Sequence, residues 1–497
     1  MNHSLHLLRR PLQGLLLVAP LAISACSLWL PKPHPTPELS SIAPLPATLP
    51  GNSPDNTGEW PAAQWWQKYQ DDTLNTLIAQ ALQNAPSLAT AEARFSSARE
   101  AARVSAATAG LRVDAQASVA RQRLSDNGLF PSELLGFSWY NQADLGLKAS
   151  YTFDWWHKQR DTTEAALDEV RAAQAEQAAA SIGLAASIAD SYFGWQGDQA
   201  QIALLDAQLQ LTTQRQQINA VRIAAQLEAP DTRYQFDNDL AALRATRIEL
   251  ASSAQLRRVV IAALMGVSVD QLPEFVAKPL PAVNAGLPDS VRIDLLARRA
   301  DIVAARWRIE GAQRHLQAAR AEFMPDVSVN ALAALSTIDL NKLFDYGSRA
   351  PSLGAAIHLP IFDSGLLKAQ YGARAAQLDA AVTSYNNTII SAAQNVATQA
   401  ITLQKLDAQR TQRVAQVDAA TQQLNAATAR KQQGLSDARP VLVAQQAVQQ
   451  QQAAVTNLDV AALSADINLQ LALGGGYDGG GYASGNAANA NAATESR

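Results

Sequence analysis

Two stretches of the chain alternate apolar and polar residues, reach Phe-Asp and then change period. The first, KASYTFDWWHKQR, covers 148–160, and the second, IHLPIFDSGLLK, covers 357–368. In the first copy Ala143, Leu145, Leu147, Ala149, Tyr151 and Phe153 share one face, and Gln142, Asp144, Lys148, Ser150 and Thr152 share the other. In the second, Leu353, Ala355, Ile357, Leu359 and Ile361 oppose Ser352, Gly354 and His358. Val113–Val119 and Val327–Leu335 keep the same period of two, so the pattern predicts four strands. An apolar-out, polar-in alternation of about ten residues is the signature of a transmembrane barrel strand. Four strands cannot close a barrel, and an open edge is not tolerated in lipid, so the pattern also predicts an oligomer.

After Phe-Asp the period becomes helical. Leu378, Val382, Tyr385, Ile389, Ala392 and Val396, then Val417, Ala420, Leu424 and Ala427, follow the alternating four-three spacing of a coiled-coil seam. Residues 365–433 contain no proline and predict a single helix of about 100 Å. A matching proline-free stretch runs over 155–229. Ala and Gln dominate these stretches, which suits long helices in close contact.

The two halves of the chain correspond beyond Phe-Asp. NAPSLATAEARFSSAR parallels RADIVAARWRIEGAQ, with Arg94 opposite Arg308, and AGLRVDAQAS parallels EFMPDVSVNA. Each half reads as helix, two strands, long helix, turn and returning helix, an internal two-fold repeat. The predicted division is a signal peptide over 1–25, a tether over 26–58, a first repeat over 59–270 and a linker over 271–289. A second repeat over 290–473 and a low-complexity Gly/Asn tail over 474–497 complete it. Segments 126–138 and 339–350 join the strands of each pair and are expected at the cell exterior, where barrel loops are long.

Composition narrows the function. The chain has 497 residues, a net charge of −4 and 17% charged residues, with no basic stripe, which argues against nucleic acid as a partner. Its single cysteine, Cys26, ends a basic-then-apolar leader and allows no disulfide within the chain. The sequence Ile23-Ser24-Ala25-Cys26 resembles a bacterial lipobox, which implies N-acyl and S-diacylglycerol lipid on Cys26. Ser27 follows, and the resemblance to enterobacterial-type lipoproteins then implies the outer membrane. The longest later apolar run, Val259 to Val267, falls short of the roughly 20 residues of a membrane-spanning helix.

Catalytic motifs are missing from the sequence: no Walker loop, nucleophile elbow or metalloprotease helix appears, which predicts that the protein is not an enzyme and binds no cofactor beyond its lipid. His157 reads as a solvated junction residue, and Trp65-Trp66 and Trp155-Trp156 as packing or interface anchors.

Several motifs in order then carry a family resemblance. WPAAQWW at 60–66, RQRLSDNG at 121–128, LLARRADIVAARWRIEGA in the middle, LPIFDSGLLKAQ and LGGGY at 473–477 resemble outer-membrane factors of the TolC/NodT type, in particular the multidrug-resistance outer-membrane lipoproteins. The resemblance implies an α+β membrane protein: a homotrimer with a transmembrane β-barrel, four strands per chain, set on a long α-helical barrel. It also implies an outer-membrane efflux channel carrying drugs or other toxic small molecules from a membrane-fusion adaptor in the periplasm and an inner-membrane pump. The adaptor-docking turns would be Gly434-Leu435 and, at the corresponding place, Gln226-Leu227, where the family's Gly-Leu is missing. Val443 stands where relatives often carry a gate aspartate. Beyond the turns, Asp231-Thr232-Arg233 and Asp437-Ala438-Arg439 are the candidate periplasmic gate, six such motifs meeting around a trimer axis. Two rivals remain open: the outer channel of a type I protein-secretion system, separable by its neighbouring genes, and a structural periplasmic coiled-coil lipoprotein, separable by its lack of conductance.

Overall fold

The computed structural model describes residues 31–35, 38–39, 59–125, 127, 132–283 and 298–478. Cys26, most of the tether, the tail from 479 and residues 284–297 around the expected linker lie outside the described residues.

Helix α1 (Asp72–Asn84) opens on Asp71, whose carboxylate accepts from the Thr73 and Leu74 amides, the N-cap arrangement. Its Leu74, Leu77, Ile78 and Ala81 are buried at helical spacing. Helix α2 (Pro86–Thr108) begins on a proline, favoured in a first turn. Strand β1 (Arg112–Arg123), the short helix α3 (Ser132–Leu135) and strand β2 (Trp139–Phe153) follow. Then come α4 (Lys158–Ala224) and α5 (Thr232–Met265). The second half repeats the order as α6 (Ala300–Ala321), β3 (Asp326–Thr337), β4 (Ser352–His358), α7 (Leu366–Gln432) and α8 (Arg439–Ala472). Element lengths recur: α4 and α7 have 67 residues each, α5 and α8 have 34 each.

The expected seam is buried from Leu378 to Val396, while further on Val417 and Leu424 are only half-buried. Leu378, Val382, Ile389, Ala392 and Val396 are nearly inaccessible, as are Ala420 and Ala427. The strand in the second half needs a correction. Leu359 and Ile361 were expected in it, yet β4 ends at His358, which pairs with Asp326. Pro325, just before Asp326, has no amide to extend the ladder, and Pro360 lacks one on the other side.

Chain contacts separate two compact units, each drawing on both halves of the sequence. The first includes Ser96–Arg171 and Arg306–Ser384 and holds a four-stranded antiparallel sheet in the order β1-β2-β3-β4. Within it the buried Asp168 bonds Arg171 at 2.6 Å and Arg314 at 2.8 Å. Burial raises the Asp168 carboxyl above its usual range, although both guanidinium groups act against this. The tether's first described residues lie on α7. The Tyr371 hydroxyl donates to the Lys32 carbonyl at 3.2 Å, and the His34 ring pairs with Asp379 at 2.8 Å.

The second unit includes Ala172–Ala305 and the chain from Tyr385 onward, and it holds the main core. Trp65, Trp66, Tyr69, Leu77, Tyr192, Phe193, Trp195 and Phe275 pack together there. Trp65 and Trp66 are therefore core residues. The Tyr69 hydroxyl donates to the buried Asp466 at 2.6 Å, and Tyr192 donates to Asp71 at 2.9 Å. Burial, followed by the Gln196 and Asp71 contacts of opposing sign, pushes the Tyr192 hydroxyl up to about 12.

Candidate functional site

Antiparallel partners point to the same side of a sheet, so the strand register assigns every side chain to a face. Val113, Ala115, Ala117 and Val119 pair with Ala149, Leu147, Leu145 and Ala143. Leu145, Leu147, Ala149, Tyr151 and Phe153 pair in turn with Leu335, Ala333, Ala331, Val329 and Val327. Leu353, Ala355 and Ile357 of β4 complete the row. One face is thus apolar across all four strands. Along β4 this face is open, with Leu353 78% and Ile357 74% exposed, whereas Ala143 on β2 is buried.

The opposite face is mainly polar. Asp114 lies across from Lys148, and Ser118 across from Asp144. The Ser336 hydroxyl donates to Asp144 at 2.6 Å. Leu332, opposite Lys148, is the one large apolar side chain on it, beside the alanines Ala120, Ala334 and Ala356.

Each Phe-Asp serves as the start of a long helix. Asp154 accepts the Gln159 and Arg160 amides at 3.1 and 2.8 Å. Asp363 accepts those of Gly365 and Leu367 at 3.0 and 2.7 Å, which hold its carboxyl below the usual range. The turns between strand and helix are tight: His157 and Ser364 both adopt left-handed backbone, with φ of 60° and 56°. His157 is exposed at this junction, and the Trp156 indole donates to the Pro325 carbonyl at 3.0 Å.

The two hairpin turns share a backbone despite their different sequences. The Leu227 amide reaches the Arg222 carbonyl at 2.9 Å and the Gln226 amide that of Ile223 at 3.0 Å. Leu435 and Gly434 bond Arg430 and Lys431 at the same two distances. Both are Schellman endings, with Gln226 (φ 59°) standing where Gly434 (φ 72°) stands in the other. Leu227 and Leu435 therefore occupy equivalent positions, and both are largely exposed.

The candidate gate residues behave unequally. Asp437 accepts the Arg439 amide at 3.0 Å and its guanidinium at 2.8 Å, and these bonds lower its carboxyl pKa. Asp231 makes no capping bond, and Arg233 turns instead to Asp237 at 3.5 Å. Glu228, not singled out from sequence as a site residue, joins the turns. It pairs with Arg222 at 3.2 Å and reaches Arg439 at 3.9 Å. Its place one residue after Leu227 was the available signal, but a partner about 200 positions away leaves no trace in a local pattern.

Comparison with known proteins agrees with this geometry. The family described as outer membrane efflux protein matches residues 77–267 and 292–475. The chain is 33% identical over 432 residues to the multidrug resistance outer membrane protein MdtQ of Escherichia coli O157:H7, covering 84% of this chain and 89% of that one. It is 29% identical to MdtP of Escherichia coli K12 over 84% of this chain and 87% of that one. Among solved structures, the outer membrane protein VceC of Vibrio cholerae superposes with a TM-score of 0.76 at 34% identity, over 84% of this chain and all of that one. The outer-membrane channel OprN shares the fold, with a TM-score of 0.79 at 24% identity over 90% of this chain and 99% of that one.

Proposed function

The chain belongs to the outer membrane efflux protein family and lies in the outer membrane, and from that premise we propose that three copies form one passive exit duct. Each copy, an internal two-fold repeat, gives four strands to a twelve-stranded barrel and two long hairpins to a helical tunnel in the periplasm. The observation that carries this reading is the apolar face, flanked by β1 and β4, whose outer edges have no strand partner among the described residues. Pairing β1 of one copy with β4 of the next satisfies both edges and sets the polar face around a lumen.

Multidrug relatives make drugs or similar toxic small molecules the cargo, delivered by a membrane-fusion adaptor and an inner-membrane pump. The role is conduction and not catalysis. Leu227 and Leu435, on matching turns, are the adaptor contacts. At the same turns Asp437, Arg439, Glu228 and Arg222 tie the two hairpins of one copy together, leaving Asp231 and Arg233 for contacts between copies at a closed mouth. Exposed ion pairs contribute only about 0.2–1 kcal/mol each, weak enough for an adaptor to open. Lipid on Cys26 anchors the tether that Lys32 and His34 hold on α7. Wild-type protein left unlabelled by radioactive palmitate rules that anchor out.

Cysteines scanned along β1 and β4 are expected to form disulfides between copies, giving a covalent trimer that conducts ions in a planar bilayer. Cross-linked trimer without conductance, or conductance without β1–β4 cross-links, overturns the duct as described.

A further inference from the structure

The apolar face of the sheet changes character at one end. Along β1 it reads Val113, Ala115, Ala117 and Val119, then Arg121 and Arg123. Along β2 it reads Phe153, Tyr151, Ala149, Leu147, Leu145 and Ala143, then Asn141 and Trp139. The register places Arg121 opposite Asn141 and Arg123 opposite Trp139, so the change falls at the same level on both strands. Arg121 and Arg123 are exposed, and the Arg121 guanidinium lies 5.6 Å from the Trp139 ring centre. At the other end of this face the strand residues are Val113, Tyr151, Phe153, Val327 and Ile357, with the Trp155 ring stacked on Phe153 at 5.6 Å. Guanidinium groups thus occupy the end that leads into α3, and aromatic rings the end that leads into α4.

Length gives this asymmetry a position. From Ala143 to Phe153 the apolar row runs about 34 Å at the usual rise per residue. A barrel tilt of about 40° makes it roughly 26 Å tall, close to the ~25 Å apolar band of outer-membrane barrels. Arg121 and Arg123 then stand just beyond the hydrocarbon, on the side of the connecting loops and away from the long helices. That is the headgroup layer of the exterior leaflet. In the outer membrane this leaflet is built from phosphorylated glycolipid. A guanidinium presents a planar fork that matches phosphate bidentately and is less strongly hydrated than an ammonium, and an indole beside it is at home at the interface.

We infer that Arg121, Arg123 and Trp139 form a binding site for the phosphate groups of a membrane-embedded glycolipid in the exterior leaflet. The site rests on the reading that the apolar face meets lipid. It fastens each copy to the outer leaflet at the rim of the barrel, opposite in depth to the aromatic residues that border the periplasmic side.

The test uses full-length protein in lipid nanodiscs and measures binding of bis-phosphorylated lipid A, dephosphorylated lipid A and inorganic phosphate. Wild-type protein is expected to prefer the phosphorylated lipid at least tenfold and to show no competition by inorganic phosphate. Arg121→Gln with Arg123→Gln removes that preference, and Arg121→Lys with Arg123→Lys keeps part of it. Equal binding of the two lipids by wild-type protein, or an unchanged preference in the Gln variant, overturns the site. Effective competition by inorganic phosphate reassigns it to a soluble anion and equally overturns the glycolipid. The lipid comparison needs only wild-type protein, so a folding defect in a variant leaves it decisive. A fluorophore at Leu147→Cys, quenched by brominated lipid chains, separates the two levels. Without quenching the lipid-facing reading itself fails, whereas quenching together with equal lipid binding removes only the phosphate site.

Discussion

The two hairpin turns end 67-residue helices with the same pair of backbone hydrogen bonds, yet one uses Gly434 and the other Gln226 in the left-handed position. A side chain there costs about 1 kcal/mol or somewhat more. The surroundings explain why Gln is tolerated. Nothing lies within 4 Å of where a Cβ on Gly434 would point, whereas at Gly474, which ends α8, a Cβ would fall 1.9 Å from the Arg298 carbonyl oxygen. A glycine held only by backbone angle can be exchanged at modest cost; one held by close packing cannot. The turns are free tips, and their shared feature is the exposed leucine that follows.

Breaking that shared feature has the largest expected effect. Leu227→Ser with Leu435→Ser is expected to lower drug resistance at least tenfold and to abolish adaptor cross-linking at the turns, while trimer yield and bilayer conductance stay normal. If one single substitution costs as much as the pair and the other costs nothing, the turns are not equivalent docking points. Next in size is the backbone itself. Gly434→Gln copies the first turn into the second and is expected to destabilise it by about 1 kcal/mol, whereas Gln226→Gly stabilises the first by a similar amount. Hydrogen exchange at the Leu227 and Leu435 amides reads both, and equal protection in all three proteins removes the argument from left-handed strain.

The smallest effect concerns pH. Hydrogen bonds from Arg439 lower the folded-state pKa of Asp437, so its contribution is complete above the unfolded carboxylate value and fades as pH falls through the lower folded value. Below about pH 4 the Arg439 amide is expected to lose exchange protection, while the first turn, where Asp231 caps nothing, is unchanged. Asp437→Asn should remove most of this pH dependence. A first turn that loosens in step with the second contradicts the asymmetry between the two Asp-x-Arg motifs.

Periodicity carried most of the architecture. The four strands, the two long helices and the seam from Leu378 to Val396 were legible because alternation and four-three spacing are local and each face must find one environment. Boundaries were less legible: β4 stops at His358, paired with Asp326, where Pro325 and Pro360 end the ladder, although the alternation of Leu359 and Ile361 continues past it. The apolar face as a continuous surface also required the register, since a one-residue slip between strands would have mixed it.

In the candidate site the sequence by itself determined which residue types stand near each turn, including Leu227, Leu435 and both Asp-x-Arg motifs. Only tertiary structure decided that Gln226 could take the glycine's conformation, because an open tip imposes no packing penalty beyond the backbone strain. Likewise only the fold could bring Glu228 to Arg439 and leave Asp231 uncommitted. Ion pairs between distant segments depend on how hairpins are laid side by side, and that placement is settled by burial of the whole core and not by the charged residues themselves.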